Sequence, residues 1–157
     1  MLTITSTAFE PGAVIPCRFT CDGANDSPPL KWSGAPDETK SLVLIVDDPD
    51  APDPKAPKRT WVHWVLYNIP PTVTFLGEGR PRSPIPAGAS EGLNDSGKPG
   101  YEGPCPPIGR HRYFHKIFAL DTLLPDLGAS ARRPDVEAAM AGHVLANAEV
   151  MGTYARE

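Results

Sequence analysis

The sequence predicts a mainly β domain assembled from short strands, and three observations carry that prediction. Twenty prolines and 14 glycines are spread among short apolar runs over 157 residues instead of pooling in one tail. That distribution suits strands joined by proline-stiffened loops. Ser41-Leu42-Val43-Leu44-Ile45-Val46 is a continuous apolar run of strand length, the pattern of a strand covered on both faces. Thr60 to Pro70 is β-branched and aromatic throughout, and it stops at a proline, which has no N–H for a ladder. With no internal repeat or linker, residues 1–157 read as one domain.

The elements follow in order. Leu2 to Ala8 alternates and reads as an edge-type strand, turned by Phe9-Glu10-Pro11-Gly12. Val14 to Thr20 reads as a short strand, Cys21 to Leu30 as loop, and Lys31 to Ser33 as another short strand. The run from Ser41 enters Asp47-Asp48-Pro49-Asp50-Ala51-Pro52, a strand end whose carboxylates ordinarily bond turn N–H groups. After a proline-rich loop, alternation puts Trp61, His63, Val65 and Tyr67 on one face, and Thr60, Val62, Trp64 and Leu66 on the other. Pro81 to Pro99 is long and irregular, as functional or mobile loops are. Arg112 to Asp121 alternates again, with Tyr113, His115, Ile117 and Ala119 opposite Phe114, Lys116, Phe118 and Leu120. Arg133-Pro134-Asp135 then opens a helix near 134–151. Val136, Met140, His143, Val144, Asn147 and Met151 lie at helical spacing, and Gly152 is its cap.

Charge and cysteine usage narrow the function. A net charge of −4 without a Lys/Arg run argues against non-specific nucleic-acid binding and against a polybasic membrane patch. No apolar stretch approaches the roughly 20 residues a bilayer requires, and the first residues lack a basic segment followed by a long apolar one. The expected compartment is the cytoplasm. Cys17, Cys21 and Cys105 fit a reducing compartment. Cys17 and Cys21 lack the second pair a structural zinc site needs, and a bridge between any two of the three stays open.

Four features could carry chemistry: the acidic strand end around Asp48 and Asp50, the pair Trp61 and His63, the loop Gly100 to Gly109, and the pair His111 and Tyr113. The prolines and glycines of the loop make a rigid wall able to hold backbone N–H groups toward an anion. Each His/aromatic pair is two residues apart, and so on one strand face, after a proline-rich loop. A thiolate at Cys105 with His63 or His111 as base would make a cysteine hydrolase, but no hydrolase signature accompanies it. Asp48, Asp50 and His63 are suitable metal ligands by type, yet Pro49 stands against their convergence, so neither a metal nor a cofactor is expected.

These motifs together are specific. Asp48-Pro49-Asp50-Ala51-Pro52, Trp61-Val62-His63-Trp64, Gly103-Pro104-Cys105-Pro106-Pro107 and His111-Arg112-Tyr113 resemble the phosphatidylethanolamine-binding protein family, in its bacterial and archaeal Raf-kinase-inhibitor-like branch. The resemblance spans almost the whole chain. It implies a β-sandwich of two antiparallel sheets with a few peripheral helices. It also implies a non-enzymatic pocket for phosphate, acetate, a phosphoethanolamine head group or a phosphorylated side chain. Carried over by motif, the pocket is Asp48, Trp61, His63, Gly103, Pro104, Cys105, Pro106, His111 and Tyr113, with Asp50, Ala51 and Pro52 shaping the loop behind it. Regulation of a kinase or protease, and homodimer formation, are further implications. A protein-interaction inhibitor with a vestigial pocket is the alternative. Val62, where eukaryotic members often carry a second histidine, and the Gly-Pro-Cys-Pro-Pro loop depart from the eukaryotic pattern, so Raf-type partners are not carried over. In such a pocket both imidazoles would donate to an oxyanion, Asp48 would orient one of them, and Trp61 would wall the site.

Overall fold

A computed structural model describes residues 1–80 and 84–156. In chain order the strands are β1 (Thr3–Thr5), β2 (Leu30–Ser33), β3 (Ser41–Ala51), β4 (Arg59–Ile69), β5 (Phe75–Leu76), β6 (Ser90–Glu91), β7 (His111–Leu120) and β8 (Val144–Tyr154). A 3-10 turn covers Cys17–Phe19, and one helix, α1 (Arg133–Met140), precedes β8. The strands form two antiparallel sheets, a small one ordered β1-β2-β5 and a large one ordered β6-β4-β3-β7-β8.

The core lies between the sheets, where Leu2, Ile4, Leu30 and Trp32 meet Leu44, Val46, Trp64, Leu66 and Ile117. A second cluster covers the far face of the large sheet, with Val43, Ile45, Val65 and Tyr67 under Val136 and Met140 of α1. The apolar run of β3 is explained by this double cover. Each fully buried aliphatic side chain contributes roughly 1.5–3 kcal/mol, so a strand packed on both faces anchors both layers.

The structure departs from the sequence expectations in four places. The helix expected near 134–151 ends at Met140, and Val144–Tyr154 is a strand. Gly142 at φ 81° turns the chain, and β8 then pairs with β7 from His111 to Leu120. The long ladder outweighs the helical spacing, because spacing is a weak prior against tertiary pairing. Gly152 is therefore no cap. It sits mid-strand, where a Cβ would press on Ile15 and Phe9. Val14 to Thr20 is not a strand either: Val14 makes one bridge to Thr153, and the 3-10 turn follows. Asp47 to Ala51 continues β3 instead of turning out of it. Of the long loop, Pro81 to Ser83 lie outside the described residues, and Ser90–Glu91 forms β6.

One irregularity positions the site. Val46 pairs with Trp64 and Asp47 with Val62, so His63 is an extra residue on β4. A bulge re-aims side chains, and bulges concentrate beside functional sites. The expected single face of Trp61, His63, Val65 and Tyr67 is thereby split. Val62 joins Val65 and Tyr67 in the cluster under α1, while Trp61 and His63 turn to a cavity at the sheet's end.

Candidate functional site

Antiparallel pairing brings the end of β3 beside the starts of β4 and β7. Ten of the twelve residues expected at a site line one cavity of about 440 Å³ there. Asp48, Ala51 and Pro52 come from β3 and its exit, and Trp61 and His63 from β4. Gly103, Cys105 and Pro106 come from the loop before β7, and His111 and Tyr113 from β7 itself. Asp50 and Pro104 do not line it. Asp50 is buried against Arg112, whose Nη2 and Nε donate to its two oxygens at 2.9 and 3.0 Å. The side-chain bonds from Arg112 hold the Asp50 carboxyl below its ordinary value, against the opposing effect of burial. The Pro104 carbonyl accepts the Cys21 N–H at 3.1 Å. Lys58, Arg59, Ser96, Glu102 and Pro107 also border the cavity. Arg59 was legible by stepping back two residues at a time from His63, and Glu102 by its place beside Gly103.

His111 is fully buried and already committed. Nδ1 donates to Asp48 Oδ2 at 2.6 Å, and Nε2 donates to the carbonyls of Ile108 and Pro52 at 2.8 and 3.1 Å. Every partner is an acceptor, and both ring nitrogens are taken up by them. It ties a carboxylate to two loops and has no N–H left for a ligand. The expectation that both imidazoles donate into the pocket is corrected on this point. Asp48 does hold His111 as expected, and its Oδ1 accepts the Asp50 N–H at 2.7 Å.

His63 is arranged differently. Nδ1 donates to the Glu102 carbonyl at 2.6 Å, and Nε2 has no partner and is not enclosed by protein. Burial holds the ring's pKa below its ordinary value. The Glu102 carbonyl bond and the charges of Asp48, Glu102 and Asp47 oppose that shift. Near neutrality the ring is therefore uncharged, with a lone pair on Nε2. Tyr113 meets it edge-on, with ring centroids 5.3 Å apart. The Tyr113 hydroxyl is buried, close to Asp48 but outside hydrogen-bonding geometry. Burial, and then the Asp48 charge, push its ionisation up, so it stays a neutral donor.

The loop wall is rigid but poor in donors, against expectation. The Gly103 N–H goes to Asn25 Oδ1 at 2.9 Å, and Pro104, Pro106 and Pro107 have none. Cys105 is bonded to Cys21 in a disulfide, which resolves the cysteine pairing and leaves Cys17 free. A Cys105 nucleophile is excluded while that bond stands, because a thiolate is the reactive form. Asp48, Asp50 and His63 do not converge on a metal, since Asp50 is turned to Arg112.

The phosphatidylethanolamine-binding protein family model matches residues 5–155. A UPF0098 protein of Methanothermobacter thermautotrophicus is 51% identical over 156 residues, 99% of each chain. Among solved structures, a phosphatidylethanolamine-binding protein homolog from Chlamydia trachomatis superposes with a TM-score of 0.90 at 44% identity, covering 99% of this chain and 98% of its own. The E. coli protein YbcL superposes at 0.89 with 34% identity and 99% coverage of both chains. With a matched family model over nearly its full length and these relatives, the chain belongs to the phosphatidylethanolamine-binding protein family.

Proposed function

We propose that the protein is a non-enzymatic binding protein whose cavity holds a small anionic group. Phosphate, a phosphoethanolamine head group and a phosphorylated side chain are the candidates. The observation that carries this reading is a convergence: segments far apart in sequence meet around one cavity in which His63 Nε2 and the Tyr113 hydroxyl alone lack partners among its histidine and tyrosine groups. Exposed Lys58 and Arg59 border it, and the Arg59 guanidinium lies 5.3 Å above the Trp61 ring. They set positive charge at the cavity of a chain whose net charge is −4. A pocket this small gives modest affinity by itself, and a kinase or protease partner would add its own surface.

Isothermal titration of wild type and His63→Ala with phosphoethanolamine tests the site. Binding to wild type and its loss in the variant is the expected result, and equal heats for the two proteins would reject it. Among the described residues no helix is long and apolar enough to cross a membrane. A cytoplasmic location and a homodimer belong to the same proposal, to be read by cell fractionation and analytical sedimentation.

A further inference from the structure

An oxyanion needs hydrogen-bond donors, and the interior of this cavity has few to spare. Both oxygens of Asp48 are acceptors in use. His111 gives its two N–H groups to Asp48 and to backbone carbonyls. His63 gives its Nδ1 proton to Glu102, and the Gly103 N–H goes to Asn25. Glu102 borders the cavity, and its Oε2 is enclosed without a donor. Among the buried side chains that line the cavity, the Tyr113 hydroxyl is the one donor without a partner. His63 Nε2 is also free, and it accepts while the ring is neutral. An anion set beside Asp48 and Glu102 would thus meet two carboxylates and a lone pair, and from the buried side chains only one hydroxyl to set against them.

We propose that the site takes its anion together with one proton, captured at His63 Nε2. Resting on the anion-site reading above, this adds how the site becomes competent and which anions suit it. Protonation turns Nε2 from acceptor to donor, aims an N–H at the ligand, and cancels one negative charge where two carboxylates already stand. The Nδ1 bond to Glu102 survives the change, so no side chain has to turn. A ligand that carries its own acidic proton, such as a hydrogen phosphate monoester, supplies the same atom to the same nitrogen. A fully ionised anion must draw it from water.

The groups around His63 set how hard that uptake is. Asp48 and Asp47 from β3 and Glu102 from the loop favour the charged ring, and burial opposes it. From β7, His111 and Tyr113 line the same cavity, and His115 is a neutral neighbour, pushed down to about 4 by burial. Arriving negative charge tips the balance toward protonation. Lys58 and Arg59 are exposed, so their attraction is screened by salt.

Sulfate is the decisive probe, because it is fully ionised near neutral pH and any proton taken up is the protein's. Titrations of wild type at pH 6, 7 and 8, in buffers of different ionisation heat, are expected to show one proton bound with each sulfate. Affinity is expected to fall about tenfold from pH 7 to pH 8. In His63→Gln the amide donates without titrating, so proton uptake and the pH slope should both vanish. The ring nitrogens of His63, followed by NMR in wild type, give a reading that needs no variant: sulfate at pH 7 should move Nε2 from bare to protonated. Sulfate binding without proton uptake, or with an unchanged His63 ring, overturns the proposal and leaves the anion site standing. Failure of sulfate, phosphate and phosphoethanolamine alike to bind at pH 6 overturns both readings.

Discussion

His111 and His63 sit on neighbouring strands with similar burial and opposite duties, and only their partners tell them apart. A histidine with both ring nitrogens bound to acceptors is a structural tie, whereas one with a free ring nitrogen can respond to a ligand. Replacing His111 with Asn leaves the Asp48 carboxylate buried beside unpaired carbonyls of Ile108 and Pro52. Breaking a buried pair of this kind is expected to cost about 3 kcal/mol, read as a lower midpoint in urea unfolding. A His111→Asn protein as stable as wild type would show that the ring is not the tie between the two loops. Ala in place of Arg112, half-exposed in its pair with buried Asp50, is expected to cost less, since solvent screens that pair.

At the scale of elements, the cavity wall is held from behind. The Cys21–Cys105 disulfide and the Gly103 bond to Asn25 tie residues 103–105 to the segment after the 3-10 turn. A Cβ on Gly103 would stand 2.6 Å from Asn25 Oδ1 and collide with the Phe19 backbone, so the two segments touch with no side chain between them. The bridge spans a sequence separation of 84. Closing a loop of that length restricts the unfolded chain by about 4–5 kcal/mol in the chain-entropy account. Cys21→Ser should lower the unfolding free energy by an amount approaching this, measured against wild type without reductant. Dithiothreitol should bring wild type down to the variant. A variant matching oxidised wild type would mean that the loop closes as readily without the bridge.

For the whole molecule, the buried histidines set the response to acid. His115, whose ring centroid lies 5.4 Å from that of Phe9, is pushed down to about 4 by burial, and His63 is lowered by the same cause. Unfolded, both titrate near 6.5. Between those values the unfolded chain binds more protons than the folded one, so stability declines as pH falls from about 6.5 toward 4 and is flat above. His115 alone should contribute about 3 kcal/mol of that decline. Asp50 acts in a lower window: its depressed pKa lends stability above the ordinary carboxylate value of 3.8, lost only as pH falls through the folded value. Unfolding free energies from pH 7 to 4.5 should trace the histidine decline, with a shallower curve for His115→Gln. A flat curve for wild type over that range would contradict it.

Strand identity was legible wherever the chain carries its own evidence. β3, β4 and β7 each show an apolar or alternating pattern long enough to outweigh other readings, and the site residues cluster at their ends because the His/aromatic pairs sit at strand starts. β8 was not legible, because Val136, Met140, Val144 and Met151 also fit a helix, and only a waiting edge on β7 selects the extended form. The bulge at His63 was hidden for a related reason: alternation assumes regular pairing, and the extra residue exists only against β3. Residue types and spacing alone marked the candidate groups and what they can do chemically, and that they share one pocket was implied by the resemblance of their motifs. Which nitrogen is spent and which stays free was decided by tertiary structure alone, because a hydrogen bond is a property of two groups brought together from distant parts of the chain.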